Sequence, residues 1–105
     1  MKNEIMIGRE VAKGDYPVDK KYGLVGRKHA RIVRKPDGLF IEDLNSANGT
    51  FVNGISITRK KINKSDKITL GGVDYYELNL EEVLKKLPLS DEDIQRLFLE
   101  LKQVQ

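Results

Sequence analysis

Closely spaced turn residues are the feature that most constrains the fold of this 105-residue chain. Asn-Gly and Gly-Gly pairs adopt positive φ at low cost, as tight hairpin turns require. The turn signals are Pro36-Asp37-Gly38, Asn48-Gly49, Asn53-Gly54 and Gly71-Gly72. Between and around them we predict short strands over Glu4–Ile7, Ala30–Arg34, Leu39–Glu42, Thr50–Val52, Lys67–Leu70 and Asp74–Leu80. Short strands with such frequent turns predict an all-β sandwich or small barrel.

A helical period replaces the strand pattern after residue 80. Leu80, Val83, Leu84 and Leu87 recur at helical spacing, and Pro88 ends this stripe. A second amphipathic helix is predicted to begin at the N-cap Ser90, with apolar residues at Ile94, Leu97, Phe98, Leu101 and Val104. We therefore divide the chain into a sandwich over residues 1–80 and a helical tail or linker over residues 81–105. The tail either packs on the sandwich, or mediates self-association, or leads to an adjacent domain.

The charge distribution changes at almost the same place. Residues 1–76 contain fifteen Lys and Arg against nine Asp and Glu, or +6, whereas residues 77–105 contain four against seven, or −3. Their sum is the net charge of +3, a mild bias towards anionic partners. Nucleic-acid binding is not expected, because the basic run Arg59-Lys60-Lys61 lacks interleaved aromatic residues. No apolar run has the length of a membrane span.

The composition argues against catalysis and metal binding. The chain has no cysteine, which excludes disulfides, thiolate metal sites and cysteine nucleophiles. His29 is the single histidine, which leaves little material for imidazole catalysis or a zinc site. We expect a non-enzymatic protein with no cofactor, metal or small-molecule substrate. No signal peptide is visible at the first residues, which favours a cytoplasmic location.

Three loops combine glycine with cationic and amide side chains. Gly8-Arg9 follows the first predicted strand, Gly26-Arg27-Lys28-His29 precedes the second, and Asn48-Gly49 precedes a later one. Loops at one end of a sandwich commonly carry its binding site. The planar fork of arginine suits a phosphate or carboxylate, and an asparagine amide both donates and accepts. These residue types therefore predict a surface that binds an anion together with a peptide.

The order and spacing of these motifs resemble the forkhead-associated (FHA) domain, a phosphothreonine-peptide binding module. The resemblance covers roughly residues 4–80. The matching series is Gly8-Arg9, Arg27-Lys28-His29-Ala30, Asp43-Leu44-Asn45-Ser46-Ala47-Asn48-Gly49-Thr50-Phe51-Val52-Asn53-Gly54 and Leu70-Gly71. It implies an FHA-like β-sandwich of mostly antiparallel strands, here followed by the C-terminal amphipathic helix. It also implies a module for protein–protein interaction in signalling, whose partner is a phosphothreonine-containing protein or peptide.

The resemblance implies a role for each matching residue. Arg9 falls on the arginine that grips the phosphate, and Asn48 on the asparagine that holds the main chain of the bound peptide. His29 falls on the histidine that braces the recognition loops. Arg27 and Lys28 occupy basic positions beside the phosphate, where they either contact it or remain solvated. The motifs also assign structural support of the site to Gly8, Ser46, Gly49, Thr50 and Asn53.

Two binding-site positions depart from the family pattern. Gly26 stands where the family usually has a serine whose hydroxyl bonds the phosphate, and Ala47 stands where a threonine or serine is common. Each loss removes a hydrogen bond to a charged acceptor, worth about 1.5–3 kcal/mol. Backbone N–H groups around Gly26 are expected to compensate in part. The alternatives are therefore a weakened phosphopeptide module and a degenerate scaffold that binds or assembles with partners without phosphate, using the C-terminal helix.

A third departure lies at the start of the chain. Family members usually place a further strand before the one that leads into the Gly-Arg pair, and only seven residues precede Gly8. A missing strand would leave a sheet edge or a patch of the core uncovered. We hypothesise that the helix from Ser90 covers part of it, from this chain or from a neighbouring one.

Overall fold

The structure is a computed structural model that describes residues 3–87. The strands of this part of the chain are β1 (Glu4–Gly8), β2 (Tyr16–Pro17), β3 (Ala30–Lys35), β4 (Gly38–Asp43), β5 (Thr50–Val52), β6 (Ile55–Ile57), β7 (Arg59–Ile62), β8 (Ile68–Leu70) and β9 (Tyr76–Glu77). They are followed by one helix, α1 (Leu80–Lys85). One sheet has the strand order β2-β1-β3-β4-β7 and the other the order β6-β5-β8-β9. All neighbouring strands are antiparallel except β1 and β2, which are parallel.

Alternating side chains of the two sheets form one hydrophobic core. In the first sheet Ile5 of β1 lies opposite Ile32 of β3, which in turn lies opposite Ile41 of β4, and all three are fully buried. The second sheet contributes Ile68 and Leu70 of β8, which are also buried. The alternation places every second residue of β1 and β3 in the core, as expected for strands with one solvent-facing side. The predicted all-β sandwich is therefore confirmed.

Three strands were not predicted from the sequence, and one predicted strand is much shorter. β2 has only two residues, β6 follows directly on the Asn53-Gly54 turn, and β7 has three exposed cations among its four residues. Such segments carry little apolar alternation, which is the main sequence signal of a strand. The prediction of a strand over 74–80 was wrong at both ends, because pairing with β8 is limited to β9 and Leu80 begins α1.

The predicted helical stripe after residue 80 is confirmed as α1. The Asn79 side chain caps the helix by accepting a hydrogen bond from the Glu82 N–H at 3.2 Å. Val83 is fully buried in the core and Leu87 nearly so. The Tyr16 hydroxyl donates to the Glu82 carboxylate at 3.1 Å, which ties α1 to β2. The second predicted helix, which would begin at Ser90, lies outside the described residues.

Within residues 3–87, β9 forms one edge of its sheet. It pairs with β8 alone. The described part of the chain contains no strand before β1, which begins at Glu4. α1 follows β9 after two residues and buries Val83 in the core. The cover that we expected from the helix at Ser90 stays a prediction, because that segment lies outside the described residues.

Candidate functional site

Gly8 and Arg9 bring the end of β1 against the loop that contains Gly26 and Arg27. The Arg9 N–H donates to the Gly26 carbonyl at 3.1 Å, and the Glu10 N–H donates to the Arg27 carbonyl at 3.0 Å. A Cβ atom on Gly8 would lie 2.0 Å from the Arg27 carbonyl oxygen. A glycine is required before Arg9 because a side chain there would push the two loops apart.

The Arg9 side chain is held by a main-chain carbonyl and leaves most of its guanidinium free. Its Nε–H donates to the Val25 carbonyl at 2.5 Å, and the residue is partly exposed. No Asp or Glu among residues 3–87 lies within ion-pair distance of it. An arginine has five N–H donors in a planar fork, so a fixed Nε leaves the two terminal amino groups available for an oxyanion.

His29 connects two of the three predicted loops from a fully buried position. The Gly26 N–H donates to its Nδ1 at 2.8 Å, and its Nε2 lies 2.8 Å from the Gly49 carbonyl oxygen. Since Nδ1 accepts a hydrogen bond, this pattern suits the neutral ring with its proton on Nε2. The Gly26 N–H is therefore occupied by His29, so any main-chain donor for an anion must come from the residues around Gly26.

The Asp43 carboxylate organises the loop between β4 and β5. It accepts hydrogen bonds from the Ser46 N–H at 3.0 Å, the Ser46 hydroxyl at 2.5 Å and the Thr50 hydroxyl at 2.7 Å. The Ser46 oxygen in turn accepts from the Gly49 N–H at 3.0 Å. Burial raises the pKa of Asp43, but the hydrogen bonds from Ser46 and Thr50 more than offset it, so the pKa lies below its usual value.

Asn48 lies at the exposed end of this loop and reaches across to the loop of residues 18–28. Its Nδ2 donates to the Leu24 carbonyl at 3.0 Å. Its Oδ1 makes no hydrogen bond with any residue in the described range and is free to accept one from a ligand. Ala47 beside it is exposed and has no polar side-chain atom to add. The Leu24 carbonyl thus binds the amide of Asn48, and the next carbonyl, that of Val25, binds the guanidinium of Arg9. The two side chains therefore lie against the same loop.

Arg27 and Lys28 are exposed in the same loop. Arg27 approaches Glu10 at 3.9 Å, but the two side chains are 75% and 61% exposed, so this ion pair contributes little. The backbone N–H groups of Arg27 and Lys28 donate no hydrogen bond to any of residues 3–87. These two N–H groups, and not that of Gly26, are the main-chain donors available beside Arg9.

Asn53 lies at the other end of β5 from Asn48. Its Nδ2 donates to Asp66 at 3.0 Å, and its Oδ1 accepts from the Lys67 N–H at 2.9 Å. It therefore holds the β5–β6 turn against the loop that precedes β8. No hydrogen bond among the described residues joins Asn53 to Arg9, His29 or Asn48.

Sequence reasoning missed two kinds of contributor to the site. Asp43 belongs to the matching motif but was not selected as a site residue, although aspartate side chains often hydrogen-bond nearby backbone groups in turns. The carbonyl groups of Leu24 and Val25 were also missed, because every residue has a main-chain carbonyl and residue type does not indicate which one accepts a hydrogen bond.

Within residues 3–87 no group of three or more His, Cys, Asp or Glu side chains is arranged to hold a metal ion.

The comparisons with known proteins identify the family. The sequence model of the FHA domain matches residues 5–71. The chain belongs to the FHA domain family. The resemblance inferred from the motifs is thereby confirmed. A curated relative, the ABC transporter ATP-binding/permease protein Rv1747 of Mycobacterium tuberculosis, is 41% identical over 51 residues, which are 49% of this chain and 6% of that protein. The chain thus matches only a small part of that relative's length.

Solved FHA domains share the fold at moderate identity. One, studied for phosphothreonine-dependent FHA interactions, has 28% identity and a TM-score of 0.59, over 68% of this chain and 71% of that chain. A second similar structure, Mycobacterium tuberculosis EmbR in complex with a low-affinity phosphopeptide, has 32% identity and a TM-score of 0.58, over 65% of this chain and 17% of that chain. No helix within residues 3–87 is long and apolar enough to cross a membrane.

Proposed function

We propose that this FHA domain captures a phosphothreonine-containing segment of a protein partner. The observation that carries the proposal is Arg9, whose guanidinium is fixed through Nε on the Val25 carbonyl and has no carboxylate partner among the described residues. A phosphate carries about −1.5 to −2 charge at neutral pH and offers three acceptor oxygens. A fixed arginine without an internal partner loses little entropy and breaks no ion pair when it binds such a group.

The remaining contacts would come from the two loops that His29 joins. The Arg27 and Lys28 N–H groups supply main-chain donors beside Arg9, and their side chains add positive charge. Asn48 would fix the main chain of the bound segment through its free Oδ1 and its second N–H. Because the contacts are mostly charged hydrogen bonds at an exposed site, affinity should fall as salt concentration rises.

The absent hydroxyl groups at Gly26 and Ala47 would make this binding weak. Two lost hydrogen bonds to a charged acceptor correspond to a loss of about a hundredfold or more, since about 1.4 kcal/mol is tenfold. The same two positions support the second candidate function, a scaffold that binds a partner without phosphate. In both cases we propose a binding role without catalysis, in the cytoplasm.

The test is a titration of the full chain with a phosphothreonine peptide library and with unphosphorylated control peptides. Binding is detected by the NMR chemical-shift changes of the backbone and side-chain amides. We expect shifts at Arg9, Gly26, Arg27, Lys28 and Asn48 with phosphorylated peptides only. Arg9→Ala should abolish them, because it removes the guanidinium that the Val25 carbonyl holds in place.

Arg59→Ala is the matched control, since it removes the same charge from β7, where Arg59 donates to Glu42 at 3.1 Å. It should leave the shifts unchanged. Equal binding of phosphorylated and unphosphorylated peptides would favour the phosphate-independent scaffold. An absence of shifts at millimolar phosphopeptide would overturn the proposal.

A further inference from the structure

A fourth loop, between β8 and β9, supports the two loops that carry Arg9 and Asn48. The Gly71 N–H donates to the Gly49 carbonyl at 2.9 Å, the same oxygen that His29 approaches. The Tyr75 hydroxyl accepts a hydrogen bond from the Leu24 N–H at 3.3 Å. Leu24 is also the residue whose carbonyl accepts from Asn48. The Gly71–Tyr75 segment therefore contacts both sides of the binding surface.

Packing fixes Tyr75 in the position from which it reaches Leu24. Gly71 has φ +82°, and a Cβ atom there would lie 3.0 Å from both the Leu24 carbonyl oxygen and the Tyr75 ring. Tyr22 packs edge-on against Tyr75, with ring centroids 5.9 Å apart, and against Tyr76 at 4.8 Å. The Leu24 main chain and the Tyr75 ring thus both pack closely on Gly71, where only a glycine leaves room.

We propose that Tyr75 is a positioning residue of the peptide site, acting on Asn48 through Leu24; this rests on the function proposed above. Tyr75 holds Leu24 at its N–H, and Asn48 binds Leu24 at its carbonyl. Fixing Leu24 therefore fixes the acceptor that orients the Asn48 amide. With Nδ2 held by Leu24, the free Oδ1 is presented for the main-chain N–H of a bound segment.

The substitution Tyr75→Phe removes the hydroxyl and keeps the ring. Its matched control is Tyr22→Phe, because the neighbouring Tyr22 hydroxyl makes no hydrogen bond with the described residues and its ring lies in the same cluster. Two probes separate main-chain recognition from phosphate recognition. One is a peptide with a central phosphothreonine flanked by alanines, and the other is free O-phosphothreonine, which lacks the flanking main chain.

We expect Tyr75→Phe to weaken peptide binding about two- to tenfold, the range for one modest hydrogen bond. Binding of free O-phosphothreonine should not change, because Arg9 is untouched. In the free protein, the side-chain NH₂ signals of Asn48 should shift with Tyr75→Phe and stay in place with Tyr22→Phe. Melting temperatures of the two variants should agree.

Three results would overturn the inference: unchanged Asn48 side-chain signals in Tyr75→Phe, equal effects of the two substitutions, or equal weakening of both probes. If the unsubstituted protein binds neither probe, the proposed function fails. The positioning role is then still decided by the Asn48 signals of the free protein, so the two failures are distinguishable.

Discussion

Restoring a hydroxyl at position 26 should strengthen phosphopeptide binding by about ten- to a hundredfold. Gly26→Ser is sterically possible, because a Cβ atom there would lie 3.5 Å from His29 Nδ1 and 3.6 Å from His29 Cα, which is ordinary contact. Gly26 also lies outside the positive-φ glycines, so its backbone accepts a side chain. The magnitude follows from one hydrogen bond to a charged acceptor, about 1.5–3 kcal/mol, at about 1.4 kcal/mol per tenfold.

Gly26→Ala is the control that separates the hydroxyl from the change of backbone. Both substitutions reduce the conformational entropy of the unfolded chain. They should therefore stabilise the folded protein similarly, by about 0.4–1 kcal/mol. Calorimetric titration of the three proteins with the same phosphothreonine peptide measures the difference. Equal affinities of Gly26→Ser and Gly26→Ala would refute the reasoning that a missing hydroxyl limits binding. A loss of affinity in both would show that the added Cβ disturbs the hydrogen bond from the residue 26 N–H to His29.

Two further predictions concern the support of the site. Asp43→Asn should destabilise the fold by about 1–3 kcal/mol in urea unfolding, since an amide cannot accept all the hydrogen bonds from Ser46 and Thr50. Because the folded-state pKa of Asp43 is lowered, its contribution to the free energy of unfolding is fully present above the unfolded-state pKa of about 3.9. That contribution is lost as the pH falls through the folded-state pKa. An acid-unfolding profile of Asp43→Asn identical to that of the unsubstituted protein would contradict this. Gly8→Ala should abolish binding and lower the free energy of unfolding by about 1–3 kcal/mol, because its Cβ would overlap the Arg27 carbonyl. The control Gly23→Ala should change neither binding nor stability, because a Cβ at that position meets nothing within 4 Å. Thermal melts and the same titration measure both effects.

Strand prediction succeeded where apolar alternation was strong and failed where pairing alone defines the strand. Residues 30–34 and 39–42 lie within β3 and β4, which pair along their length and bury Ile32 and Ile41. β7 is a strand because it pairs with β4, although three of its residues are exposed cations. Lysine and arginine on an edge strand also discourage pairing with another chain, so their placement suits an edge. The boundary between sandwich and tail at residue 80 stays a prediction.

The residues of the candidate site could be selected from the sequence, but the hydrogen bonds that connect them could not. Arg9 and Asn48 are distinctive residue types within a distinctive motif, so they were selected directly. Tyr75 was not selected, because its hydroxyl contacts Leu24 across fifty-one positions of sequence. Asn53 belongs to the same motif as Asn48, yet the structure places it in a different hydrogen-bond group with Asp66.

The sequence by itself determined the fold class, the family and the residue types at the candidate binding loops. These properties depend on local signals, such as turn residues that permit positive φ, apolar alternation and motif spacing, which are written in neighbouring positions. Only the tertiary structure decided which donors remain free for a ligand. The Gly26 N–H is consumed by His29, one N–H of Asn48 by Leu24 and the Nε–H of Arg9 by Val25. A hydrogen bond between distant segments depends on how the sheets bring them together, and the acceptor in two of these three cases is a main-chain carbonyl that every residue possesses.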